Sequence, residues 1–463
     1  MQNNFVLTIV IREITPLKFI VLQVNSTKNI LKISYPIILT LVAQNIINVT
    51  DTAFLGRVSE VALGASAIAG VFYFAIYMVG FGFSQGVQIL IGRRNGEGNY
   101  TQIGPIFNNG LIFNFILSVL IFTISLVGVP HLLKILVSSD RIYAAAMEFL
   151  SWRIYGFFFV FLNVVFRALY VGITDTKILT TSAIITAVVN IILDYLLIFG
   201  KFGFPQLGIA GAAIASDIAE AASLVYLIYH TLTYTDIKKY HLFTHIKAEM
   251  KTILQILNLS IFIMFQFFIS ISTWFLFFIF IERMGEQPLA VSNIGRSMYI
   301  LLMIPASALA TTSGTLVSNM IGAGHKQEVI KTVNKIIGIA LLLVAPILIF
   351  AFIFPELFAN IYTDDHALML ASVPVIRVVS IAVAFFAVGN VIINGVSGTG
   401  STRIAFYIEV VTLFFYISYV YYTAIINTQP VAIVWMSEFV YWTLLGGLGY
   451  LYLRKGNWHE KEI

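Results

Sequence analysis

The chain has no cysteine, so disulfides, thiolate metal sites and cysteine nucleophiles are excluded together. Charge is scarce as well: Asp, Glu, Lys and Arg make up 11% of the 463 residues, against about 25% in soluble domains. Histidine is sparse, and His131, His241, His245, His325 and His366 fall in loops at no metal-ligand spacing, which argues against zinc. No phosphate-cradling loop stands out; GEG (96–98) and GAG (322–324) read as helix stops. Hydrophobic residues fill the space instead, at 59% of the chain. A protein this apolar cannot cover itself with polar surface in water, and the bilayer is the solvent its composition suits.

Runs of spanning length, about 20 residues for a 30 Å core, lie near 33–55, 61–92, 103–128, 142–173, 178–200, 207–232, 252–281, 288–320, 333–354, 368–396, 404–426 and 431–453. They predict an all-α integral membrane protein with twelve transmembrane helices. Residues 1–32 form a cytoplasmic lead-in; within it, 5–24 are apolar but interrupted by Arg12, Glu13, Pro16 and Lys18, which suits an interface better than a span or a cleavable signal. The longest polar break, 233–251, follows the sixth span and divides an N-lobe (33–232) from a C-lobe (252–453), with a tail at 454–463.

Basic residues set the orientation. With the N-terminus inside, 18 Lys or Arg fall in inner segments and five, Arg57, Lys134, Arg141, Lys201 and Arg283, in outer loops. This positive-inside split places both termini in the cytoplasm and accounts for the net charge of +5 without nucleic acid. A bacterial inner membrane is the expected location.

The halves repeat. An offset of 226 residues aligns Arg57 with Arg283, Glu60 with Glu286, Ser66 with Ser292, Gly96 with Gly322, Gly172 with Gly398 and Lys177 with Arg403. Six spans per half is an even number, so both halves enter the membrane in the same direction, as two parallel-repeat six-helix lobes. Such lobes rock about a central cavity, and one chain contains both, so a monomer is expected to function.

Asp51 and Asp194 do not repeat: the offset carries them to Phe277 and Val420. A carboxylate at mid-bilayer costs about 3 kcal/mol on insertion scales, so each marks a functional hypothesis. At 1.5 Å per residue Asp51 lies roughly 27 Å from the inner end of its span and Asp194 roughly 24 Å, a shared depth. Helical spacing puts Gln44, Asn48 and Asp51 on one face of the first span, and Asn190 and Asp194 on one face of the fifth. Hard oxygen ligands of this kind suit protons or Na⁺ rather than a transition metal.

The stretch PIILTLVAQNIINVTDTAFLGRVSEVALGASAI (Pro36 to Ile68) resembles the opening of the multidrug and toxic compound extrusion (MATE) transporters. NIILDYLLIFG (190–200), LGIAGAAIASDIA (207–219) and the paired GITDTK and GTGSTR turns extend the resemblance over about residues 28–455. It implies a MATE-like fold, no enzyme activity, no cofactor beyond a coupling Na⁺ or H⁺, and antiport of cationic, amphipathic small molecules. It also implies cation-coupling roles for Asp51, Asn190 and Asp194, with Ser216 where a hydroxyl is expected. Other members carry acids in the seventh and tenth spans; here Gln266, Phe386 and Asn390 stand near those places.

Further acids are Asp217 and Glu220 in the sixth span, Glu409 in the eleventh and Glu438 in the twelfth, the last at about 10 Å depth. With Gln44, Asn48 and Gln266 they are candidates to line a cavity for a cationic substrate. Arg153 and Arg167 read as structural or snorkelling side chains. A flippase for lipid-linked precursors, of similar two-lobe build, is the alternative; it would favour a Lys- and Arg-rich cavity to hold pyrophosphate.

Overall fold

The computed structural model describes residues 26–137, 139–244, 246–461 and 463; the expected lead-in lies outside the described residues as far as residue 25. In lipid every backbone N–H and C=O must be satisfied within the segment, which leaves an apolar run little choice but helix. The spans are Thr27–Val58, Glu60–Gly96, Ile103–Leu136, the pair Asp140–Arg153 and Gly156–Gly172, then Lys177–Phe199, Gly208–Tyr234, Met250–Glu282, Glu286–Gly322, Val329–Ile353, His366–Gly398, Thr402–Tyr421 and Val431–Lys455. Each corresponds to an expected span. Two differ in detail. The first helix begins at Thr27, capped by Ser26, whose hydroxyl accepts from the Asn29 N–H at 3.1 Å; residues 27–32 are therefore helix rather than lead-in. The fourth span is broken after Arg153 and bent by 53°.

The spans form two six-helix lobes of one repeated design. Exposed positions such as Val225, Leu342 and Phe414 form the apolar exterior that lipid tails solvate. The second and eighth spans meet at the seam between lobes. Gly96 packs on the Asn319 carbonyl and Gly322 on the Arg93 carbonyl, so closely that a Cβ on either glycine would collide with the backbone opposite. The 226-residue offset exchanges these two contacts, so the seam shows the repeat directly.

Among the described residues, hydrogen bonds between the lobes cluster where the second and eighth spans end. Gln88 Nε2 donates to Thr315 Oγ1 at 3.0 Å, Ser318 Oγ to the Ile89 carbonyl at 2.7 Å, and Asn95 Nδ2 to Asn319 Oδ1 at 2.7 Å. Ser260 Oγ reaches the Phe83 carbonyl at 2.9 Å, and the Phe81 and Phe267 rings, 5.7 Å apart, lie just beyond. Towards the other end the second span exposes Val71, Phe74 and Ala75, and the first exposes Gln44, Asn48 and Thr52. These inter-lobe hydrogen bonds thus gather at one end of the seam.

Candidate functional site

The first, fifth and sixth spans pack together in the N-lobe and converge four polar side chains. The carboxyls of Asp51 and Asp194 face each other within hydrogen-bonding reach. Asn190, one turn before Asp194, donates from Nδ2 to Ser216 Oγ at 3.3 Å. Asn190 is 1% exposed and Asp194 fully buried. Asp51 Oδ1, both Asp194 oxygens and Asn190 Oδ1 are buried with no hydrogen-bond donor. Buried polar atoms in folded proteins are normally paired. Four converging acceptors without a donor are suited to a positive charge: a proton shared by the two carboxyls, or an oxygen-ligated cation. At the repeat-related positions Phe277 and Val420 are fully buried and apolar, so this chemistry belongs to one lobe. Gln44 and Asn48 continue the Asp51 stripe and are exposed.

Asp217 and Glu220 lie nearby but are already neutralised in part. Arg153, at the break of the fourth span, donates to Asp217 and, from Nη2, to Glu220 Oε1 at 2.6 Å. Its guanidinium covers the Tyr73 ring at 3.7 Å, and Tyr73 donates to Glu220 Oε2 at 3.1 Å. The helix break aims the arginine inward from a terminal turn. Arg153 is thus the partner of two acids proposed for the cavity, and it also lies within electrostatic reach of Asp51. Sequence spacing gave no signal for Tyr73 in this network.

The C-lobe candidates form a separate group. Glu409 is 1% exposed. It accepts from Ser270 Oγ at 2.6 Å, from Gln266 Nε2 at 3.3 Å and from the Tyr441 hydroxyl. Glu438, 4% exposed, accepts from Tyr299 at 2.6 Å, Trp442 Nε1 at 3.0 Å and Tyr416 at 3.4 Å. Ser270 stands one turn from Gln266, a spacing visible in the sequence; the tyrosine donors arrive from other helices and were not.

A family model described as MatE matches residues 36–196 and 263–422, one stretch in each lobe. A probable multidrug resistance protein NorM of Thermotoga maritima is 25% identical over 383 residues, covering 81% of this chain and 80% of that protein. A probable multidrug resistance protein YoeA of Bacillus subtilis is 22% identical, covering 73% of each. Among solved structures, an outward-facing multidrug resistance MATE family transporter of the MOP superfamily superposes with a TM-score of 0.85 at 18% identity, over 92% of this chain and 95% of that one. A eukaryotic MATE transporter gives 0.82 at 19%, over 94% and 96%. These likenesses show the fold.

Proposed function

This chain belongs to the MatE family of membrane transporters and is not an enzyme, and we propose that it is a cation-coupled antiporter exporting cationic, amphipathic small molecules. The observation that carries the coupling is the donor-free cluster of Asp51, Asn190 and Asp194 acceptors. In this reading Ser216 orients Asn190, and Na⁺ or H⁺ is cargo bound by the carboxyls, with no cofactor besides. The printed names of relatives, probable multidrug resistance proteins, support the substrate class.

In this reading both termini face the cytoplasm across a bacterial inner membrane, as the positive-inside distribution favours, and the hydrogen-bonded end of the seam lies on the inner side. The ion approaches the carboxyls past the exposed Asn48 and Gln44. It changes the lobe equilibrium only by its differential affinity for the two states; one charge crossing 100 mV contributes about 2.3 kcal/mol. Both lobes lie in one chain, so a monomer suffices. A flippase reading fits less well, because the polar groups gathered in the spans are dominated by carboxyls.

The test uses proteoliposomes preloaded with an ethidium-type cation, under an imposed Na⁺ gradient and separately an imposed pH gradient. Efflux under one gradient that is lost in Asp51→Asn supports antiport and identifies the ion. Absence of efflux under both refutes it.

A further inference from the structure

A cavity of about 610 Å³ opens at the end of the C-lobe where the seventh span starts and the twelfth finishes. Gln255, Asn258 and Phe262, on one face of the seventh span, form one wall, and Gly400 and Arg403, at the turn into the eleventh, form another. Lys461 closes it from the tail, which is fixed by Trp458: the indole is fully buried, and its Nε1 donates to the Leu453 carbonyl at 2.8 Å.

The charge here is of one sign. Among the described residues no acid lines the cavity, and neither Arg403 nor Lys461 forms an ion pair. Arg403 donates from Nε to the Tyr407 hydroxyl at 3.1 Å and lies 5.7 Å from the Phe262 ring, which leaves its Nη groups without a carboxylate. Burial, then the neighbouring cations Arg403 and Arg93, hold the Lys461 amine below the ordinary lysine value. Arg93 is 4% exposed; it donates from Nη2 to the Thr399 carbonyl at 3.1 Å and keeps a buried Nε without a partner. The repeat shows that the surplus is particular to this lobe. An offset of 226 carries Arg403 to Lys177, Thr402 to Thr176 and Ser401 to Asp175, so the N-lobe turn has an acid where the C-lobe turn has a hydroxyl. Thr176 Oγ1 donates to the Ile33 carbonyl at 2.8 Å and closes the fifth span on the first. Among the described residues Thr402 forms no matching bond to the seventh span, and the cavity lies there instead.

We propose that this cavity binds the phosphate of an anionic phospholipid, held between Arg403 and Lys461, with the acyl chains along the seventh and eleventh spans. An arginine fork with a free edge suits phosphate oxygens, and the positive end of the eleventh helix, which begins at Thr402, adds to the attraction. The exposed amides of Gln255 and Asn258 are placed for headgroup hydroxyls. A lipid is favoured over a free phosphate by what lies beside the cations. Phe265, 6.4 Å from the Phe406 ring, and Tyr407 are exposed on the two spans, an apolar surface that an acyl chain covers and a free anion does not. Basic pockets between transmembrane helices are suited to anionic headgroups in the inner leaflet.

The site has no role in the antiport cycle, so its test needs no transport. Native mass spectrometry of the purified full chain would follow binding of phosphatidylglycerol, of phosphatidylcholine with the same acyl chains, and of phosphatidylglycerol in the presence of inorganic phosphate. Phosphatidylglycerol is expected to bind more tightly than phosphatidylcholine. Arg403→Gln and Lys461→Gln should each weaken it about fivefold, and Arg403→Lys should keep it. Arg377→Gln, which removes an exposed cation beside the Phe352 ring, should leave it unchanged. Equal affinity for the two lipids, or undiminished phosphatidylglycerol binding when Arg403→Gln and Lys461→Gln are combined, refutes the site. Displacement of phosphatidylglycerol by inorganic phosphate overturns the lipid assignment in favour of a free-phosphate site.

Discussion

Replacing Asp194 with asparagine should make the ion-free protein more stable while abolishing its response to the ion. The two carboxylates of the N-lobe face each other with no donor between them. Two unit charges about 4 Å apart repel by about 4 kcal/mol at an effective dielectric constant near 20. Asparagine has nearly the same shape, removes one charge and presents an amide N–H to Asp51. After local relaxation the gain should be about 2–4 kcal/mol, a rise of several degrees in unfolding temperature. The wild type recovers stability only when its site is filled, by about 2.7 kcal/mol at a hundredfold excess over Kd. The assay is thermal unfolding of detergent-purified protein at alkaline pH without Na⁺, then with Na⁺ added, then on acidification. Wild type should start lower and rise with the coupling ion; Asp194→Asn should start higher and stay flat. A variant that melts below wild type without ion, yet still rises with it, would refute the reasoning.

Three other outcomes follow from the geometry. A Cβ built on Gly92 lies 3.3 Å from Ser318 Cβ, close to the span of a disulfide; Gly92→Cys with Ser318→Cys should cross-link the lobes on oxidation and stop efflux until reductant is added. The absence of native cysteine leaves no background, and free transport in the oxidised pair would contradict the rocking-lobe reading. Arg153→Met strands Asp217 and Glu220 without their cation and should destabilise by about 3–5 kcal/mol, visible as lost monodisperse protein on heated gel filtration. Gly96→Val drives a side chain into the Asn319 carbonyl and should loosen the hydrogen-bonded end of the seam at a cost of about 1–3 kcal/mol, read as faster maleimide labelling of a cysteine placed at Ser318.

The twelve spans were legible because hydrophobic length in a bilayer leaves helix as the only outcome, and the offset of 226 was legible because both halves keep the same turn glycines. Asp51, Asn190 and Asp194 stood out because charge at that depth is expensive, and periodicity alone placed Asp194 and Asn190 on one face. Other features depend on contacts between helices distant in sequence. Nothing in the local sequence around Arg153 indicates that the break after it aims its guanidinium at Asp217 and Glu220, 64 and 67 residues away. The same holds for Tyr441 and Glu409, and for Tyr299 and Glu438: neutral donors have no periodic signature. The start of the first helix was missed because Lys28 and Lys32 read as loop, whereas the Ser26 cap and the amphipathic turn beyond it carry helix out of the apolar run.

The reciprocal glycine contacts, Gly96 on residue 319 and Gly322 on residue 93, have the form of an isologous dimer interface, in which residue i meets j and j meets i. The seam therefore has the geometry of a homodimer contact within a single polypeptide. If the lobes rock as proposed, its opening is a dissociation whose products cannot diffuse apart, because the 233–251 connection keeps each lobe at a high effective concentration around the other. Weak, small-residue contacts are enough to close such an interface. The same arrangement lets the halves differ where one has Asp51 and Asp194 and the other Phe277 and Val420, while the reciprocal glycine contacts are kept.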